Sequence, residues 1–102
     1  GKDAATEKAV SERLRAALSS LLARTAPEPL GRVWPSQGNF LLVRVPEAGN
    51  VRERLRDEYS ILVRDFSYAP GLSNCLRITV GTPEENDAVL AALTELLEED
   101  AS

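Results

Sequence analysis

The chain has 102 residues, 43% of them hydrophobic and 27% charged, the size and make-up of one ordinary globular domain and too little for two. Twelve basic side chains against sixteen acidic ones leave a net charge of −4, which disfavours nucleic acid or an anionic membrane as a partner. There is no histidine and only one cysteine, Cys75, which removes His-based triads, most zinc sites and any internal disulfide.

No apolar run is long enough to span a membrane, and the start lacks the charged-then-apolar pattern of a signal peptide. The chain also lacks methionine and therefore reads as a processed chain or a fragment. Asp3 to about Thr25 predicts a long amphipathic helix. Val10, Leu14, Leu18, Leu21 and Leu22 share one stripe, and Pro27 and Pro29 bar its continuation. Residues 30–38 form a short strand candidate ending in a turn, confined to an edge or a strand end by Pro35. Asn39-Phe40-Leu41-Leu42-Val43-Arg44-Val45 is the strongest strand pattern, interrupted only by Arg44 and stopped by Pro46. So apolar a strand is expected to be partly covered on both faces.

Asn50 to Tyr59 predicts a second helix, with Asn50 as its cap and Glu53 closing a capping box. Val51, Leu55 and Tyr59 form its buried face. Arg52, Glu53, Arg54, Arg56 and Asp57 read as a solvated face with i,i+4 pairs, not as a binding patch. Ile61 to Arg64 is a third strand, followed by a loop from Asp65 to Asn74 that turns at Pro70-Gly71. Cys75 to Val80 is the fourth strand, with Leu76, Ile78 and Val80 on one face and Cys75, Arg77 and Thr79 on the other.

The last helix has the clearest start: Thr82 as N-cap, Pro83 at the first helical position and Glu85 completing the box. Val89, Leu90, Leu93, Leu96 and Leu97 make its apolar stripe. Glu98, Glu99 and Asp100 sit at the unfavourable end of the helix dipole and predict a frayed last turn. The order helix, strand, strand, helix, strand, strand, helix predicts a single α+β domain over residues 1–102. Its two layers are a short, mainly antiparallel four-stranded sheet and three covering helices, with strands 3 and 4 antiparallel across their long loop.

Arg77 draws attention because it sits mid-strand, where an arginine must snorkel, pair or meet an anion. Arg64 ends the neighbouring strand. If the two strands pair, the guanidinium groups converge and could hold a carboxylate or phosphate through bidentate bonds. The bland alternative is that Arg77 faces solvent and Arg64 pairs with Asp65. Ser36-Gln37-Gly38-Asn39 reads as a turn, although Asn39 at a strand edge could orient a ligand. Tyr68 reads as a loop anchor and Cys75 as a small core residue. Lys2 and Lys8 are the only lysines, and neither looks like a buried nucleophile. The residues present suggest no catalytic group, no cofactor-binding set and no metal site.

Pro35-Ser36-Gln37-Gly38-Asn39-Phe40-Leu41-Leu42-Val43-Arg44, Ile61-Leu62-Val63-Arg64-Asp65 and Pro70-Gly71-Leu72-Ser73-Asn74 match one known pattern. The run Cys75-Leu76-Arg77-Ile78-Thr79-Val80-Gly81-Thr82-Pro83-Glu84-Glu85-Asn86 continues it. Together they resemble the C-terminal segment of the histidinol-phosphate aminotransferases, over residues 7–97, with Arg64 and Arg77 spaced as in that family. The resemblance implies the small domain of a fold-type I enzyme dependent on pyridoxal 5′-phosphate. Such enzymes exchange an amino group between histidinol phosphate and 2-oxoglutarate or glutamate in histidine biosynthesis. It implies that a missing large domain carries the Schiff-base lysine and the cofactor cradle, so that this chain alone binds no cofactor and is inactive. Arg77 and Arg64 match the substrate-anion arginines, and Asn39 falls in the Asn-Phe run. The full-length enzyme is expected to be a cytoplasmic homodimer with a small phosphate or carboxylate substrate and no nucleic-acid or membrane partner. The alternatives are the small domain of a relative such as threonine-phosphate decarboxylase, or a free-standing module that binds an anion or a protein without catalysis.

Overall fold

The computed structural model describes residues 4–101, with side chains through residue 99. Its elements are α1 (Ala4–Thr25), β1 (Arg32–Val33), β2 (Phe40–Arg44), α2 (Ala48–Tyr59), β3 (Arg64–Asp65), β4 (Cys75–Thr79) and α3 (Pro83–Ala101). The four strands form one sheet in the order β1-β2-β4-β3, antiparallel throughout. This is the two-layer α+β arrangement expected. Asp3, where the first helix was expected to begin, lies outside the described residues.

One face of the sheet carries the helices. Leu41, Val43, Leu76 and Ile78 point into a core with Leu14, Leu18, Leu21 and Leu22 of α1. Val51 and Leu55 of α2 and Val89, Leu93, Leu96 and Leu97 of α3 complete that core. The stripes are the ones the helical periodicity marks, except that Ser11, not Val10, is the buried residue of the second turn of α1. The alternate strand residues Phe40, Leu42, Arg44 and Arg77 are only half-buried, and among the described residues none of them joins the core that the helices cover. The cover expected on the second face of β2 is thus partial.

Four local expectations are corrected. First, α2 begins at Ala48, so Asn50 lies inside the helix and makes no cap. The residue at the N-cap is Glu47, with φ 54° and no side-chain cap bond. The orphan N–H of Ala48 is instead met from outside the element, by Asn74 Oδ1 at 3.3 Å. Second, strand 3 is only Arg64–Asp65, not residues 61–64. The chain leaves α2 with Ser60 in the left-handed conformation, and the N–H of Ile61 is already committed to Leu55 O at 2.9 Å. Ile61 and Val63 therefore pack against the core without joining the ladder.

Third, the strand expected in 30–38 contributes only Arg32–Val33 to the sheet. It ends before a tight turn in which Gln37 and Phe40 exchange backbone hydrogen bonds and Gly38 supplies a φ of 63°. Fourth, α3 continues to Ala101 where a frayed turn was expected. Its acidic end reaches across the domain, Glu98 to Arg24 of α1 and Glu99 to Arg54 of α2 at 2.9 Å. Those cations offset the unfavourable dipole end.

The cap of α3 matches its sequence. Thr82 Oγ1 accepts from the N–H of Glu85 at 3.1 Å, and Glu85 Oε1 accepts from the N–H of Thr82 at 2.8 Å. Buried Asn86 adds a second brace, its side chain accepting from Gly81 N–H at 2.8 Å and donating to Gly81 O at 3.2 Å.

Candidate functional site

The helix-free face of the sheet carries arginines and aromatic rings. On β3 and β4 the register places Arg64 directly opposite Arg77. Two like charges at a direct cross-strand position destabilise a sheet unless something else occupies the space between them. Among the described residues neither guanidinium has an ion pair or a hydrogen bond. Asp65, the partner proposed for Arg64, is engaged elsewhere. Its Oδ1 accepts from the N–H of Ser67 at 2.9 Å and from the Ser67 hydroxyl at 2.6 Å. Those bonds, with the nearby charge of Arg52, hold its carboxyl below the ordinary range.

Arg77 is half-buried. Its guanidinium carbon lies over the Phe40 ring, 4.9 Å from the centroid, and 5.7 Å from that of Phe66. The groove in front of the pair is lined by Arg52, Leu62, Arg64, Asp65, Arg77 and Thr79. Chemically it offers unpaired guanidinium forks beside exposed apolar carbon, suited to an anionic group on an organic body.

Asn39 is not brought to this groove. It lies in the turn before β2, where its carbonyl accepts from Val80 N–H at 2.7 Å. It lines a separate cleft between the start of α1 and the start of α3, with Lys8, Ser11 and Thr82. Tyr68 does not anchor its loop from below: it is 77% exposed, with its ring tilted against Phe66 at 5.7 Å.

Cys75 is fully buried but lies outside the main apolar cluster. By alternation it sits on the helix-free side, opposite Arg44. Burial pushes its thiol pKa up. Arg44, the lone break in the strongest strand, is structural. Its Nε donates to Ser73 O at 2.9 Å and its second terminal nitrogen to Gly71 O at 2.6 Å, which ties the 66–74 loop down.

Sequence reasoning missed Arg52, Phe40 and Phe66. Arg52 stood among the charges of a solvated helix face, yet it borders the groove and donates to Val63 O at 3.3 Å. Phe40 could have been found by the alternation that puts it on the face of Arg77, and Phe66 by its place two residues after Arg64. Val33 packs against the core, and Trp34 sits between Arg32 at 4.7 Å and Arg44 at 5.3 Å. The exposed large apolar side chains are Leu30, Leu62 and Tyr68.

A family model described as aminotransferase class I and II matches residues 3–93. The chain belongs to that family. The chain is 47% identical over 92 residues to a histidinol-phosphate aminotransferase of Xanthomonas campestris pv. campestris strain B100, a match covering 88% of this chain and 25% of the relative. Among solved structures it is similar to a putative aminotransferase of Burkholderia pseudomallei K96243, with a TM-score of 0.72 and 35% identity over 90% of this chain and 26% of that one. It is also similar to an L-threonine-O-3-phosphate decarboxylase of Porphyromonas gingivalis, with a TM-score of 0.61 and 27% identity over 85% of this chain and 28% of that one. The chain thus spans about a quarter of the length of the curated relatives it matches.

Proposed function

We propose that this chain is the small, C-terminal, substrate-anion-binding domain of a histidinol-phosphate aminotransferase. In that reading the whole enzyme moves an amino group between histidinol phosphate and 2-oxoglutarate or glutamate. The observation that carries it is the Arg64–Arg77 cross-strand pair, which has no carboxylate partner among the described residues and opens into a groove. The two substrates share no side chain but each presents an anion, and an arginine fork accepts phosphate and carboxylate alike. One site can therefore serve both halves of the exchange.

The family depends in general on pyridoxal phosphate, whose bound ring supplies the electron sink for amino-group transfer. In this reading the cradle for it lies outside this chain. Its lysines are Lys2, outside the described residues, and Lys8, exposed on α1. Lys8 lines the cleft with Asn39 and not the arginine groove. The larger part of the enzyme would hold the cofactor, and this chain alone would be inactive. Asn39 is kept as a candidate that reaches substrate from the neighbouring cleft. The whole enzyme is read as a cytoplasmic homodimer. Among the described residues no helix is long and apolar enough to cross a membrane, and no group of three or more acidic or cysteine side chains could hold a metal ion.

The phosphate-handling decarboxylase is the second reading, favoured by the structural likeness to the P. gingivalis protein. One assay separates the two. The full-length enzyme should transaminate histidinol phosphate with 2-oxoglutarate. Carbon dioxide release from threonine phosphate without that transamination would select the second. Within the enzyme, Arg77→Lys keeps charge but loses the fork. It should weaken both histidinol phosphate and glutamate by about 2–3 kcal/mol with little change in unfolding midpoint. Unchanged affinity for both would remove the anion-binding role.

A further inference from the structure

An arginine that receives an anion has two needs that conflict. Its guanidinium must be held in one orientation, yet its N–H donors must stay free. Two other arginines of this domain spend their donors on their own supports. Arg44 gives two to the carbonyls of Ser73 and Gly71, and Arg54 gives its forks to Glu58 and Glu99. Arg77 does neither. Its guanidinium carbon lies over two ring faces, 4.9 Å from the centroid of Phe40 and 5.7 Å from that of Phe66.

The register explains how the rings come to flank it. β4 lies between β2 and β3 in the sheet. Phe40 on β2 pairs with Thr79, two residues after Arg77. Phe66 follows β3, and its N–H donates to the carbonyl of Cys75, two residues before Arg77, at 2.9 Å. Each ring therefore stands diagonally from Arg77, one from each neighbouring strand and toward opposite ends, within reach for an aromatic side chain. A cation over a ring face is attracted by the ring quadrupole and uses no hydrogen bond. All three side chains are half-buried, which limits the competition from water.

From this we infer that Phe40 and Phe66 are positioning residues. They hold the Arg77 guanidinium through its charge and plane, and so leave its N–H fork unspent for the substrate's anionic group. The inference rests on the reading of Arg77 as the anion-binding arginine and extends it to two residues that touch no substrate. A carboxylate in place of either ring would hold the guanidinium as firmly but would compete with the ligand for the same donors.

The test uses the full-length enzyme, with inorganic phosphate as a competitive probe beside histidinol phosphate. Phe40→Leu and Phe66→Leu should each raise the phosphate Ki and the histidinol-phosphate KM by about threefold to tenfold, with kcat nearly unchanged. Phe→Tyr at either position should restore the parent values. Because the leucine variants can also disturb packing, a second series replaces each Phe by its mono-, di- and trifluoro analogues. These keep the shape and drain the ring face, and phosphate affinity should fall stepwise with fluorine count. A flat fluorine series, or a Ki unmoved by the leucine variants, overturns the positioning role if Arg77→Lys weakens phosphate in the same assay. If Arg77→Lys leaves phosphate unaffected, the anion-binding reading itself fails, and the positioning role falls with it.

Discussion

Arg64 and Arg77 stand thirteen positions apart in the chain and face each other across one ladder. The chemistry at this scale depends on what each neighbouring side chain is already doing. Asp65 would neutralise Arg64 if it were free, but Ser67 binds it from both backbone and hydroxyl. Its folded pKa lies below the unfolded value, so its contribution to stability is present above about pH 4 and is lost as pH falls through the folded pKa. Ser67→Ala should move the Asp65 carboxyl back up toward the ordinary value, as read by carboxyl carbon shifts in an NMR titration. An unmoved titration would mean that the retained backbone N–H or Arg52, not the Ser67 hydroxyl, sets the shift. Cys75 gives a second expectation. Its burial and raised pKa keep it as the neutral thiol at pH 7. A disulfide reagent should label it only after unfolding. Rapid labelling of the native chain would show that the loop over it opens.

At the scale of elements, the helix starts differ in where their caps come from. α3 is capped by its own sequence, through the reciprocal bonds of Thr82 and Glu85. Thr82→Ala should cost about 1 kcal/mol, measured as a shift in the urea midpoint at unchanged slope. α2 is capped by Asn74 from a loop 26 residues away. Asn74 also holds a φ of 58°, which asparagine tolerates better than most residues. Asn74→Ala therefore loses a cap and strains a backbone position together, and should destabilise more than Thr82→Ala in the same experiment. Gly31 marks the return from α1. A Cβ there would meet the Ala26 carbonyl inside contact distance and press on Leu22, which ties the turn closely to the helix end.

For the whole molecule, the asymmetry of the two sheet faces is the controlling feature. Leu41 and Leu42 are neighbours in sequence and point to opposite sides. Leu41 is completely buried among the helices, and Leu42 is half-buried on the open face. Leu41→Ala should cost about 2–5 kcal/mol, and Leu42→Ala less than half of that, in matched denaturation curves. Equal costs would mean that the open face is packed as tightly as the closed one. The open face is also where Leu62 is exposed beside the arginines. In the proposed function, stability and recognition are divided between the two sides of one sheet.

The sequence by itself determined the kind and order of the elements, the stripes that would be buried, the cap of α3 and the motifs that mark the family. Each of these depends on relations two to four residues apart, where backbone geometry leaves few choices. It also marked Arg64 and Arg77 as candidates, because an arginine in an apolar strand carries a cost visible in one dimension. Only the tertiary structure decided that the two arginines meet, that Asp65 is occupied, that Asn39 opens into another cleft and that Asn74 caps α2. It alone placed Phe40 and Phe66 on either side of Arg77 and gave the acidic end of α3 its cations in Arg24 and Arg54. These outcomes depend on strand register and on how a nine-residue loop closes. Register is settled by the burial of one whole face against another, and no local pattern in the chain contains that information.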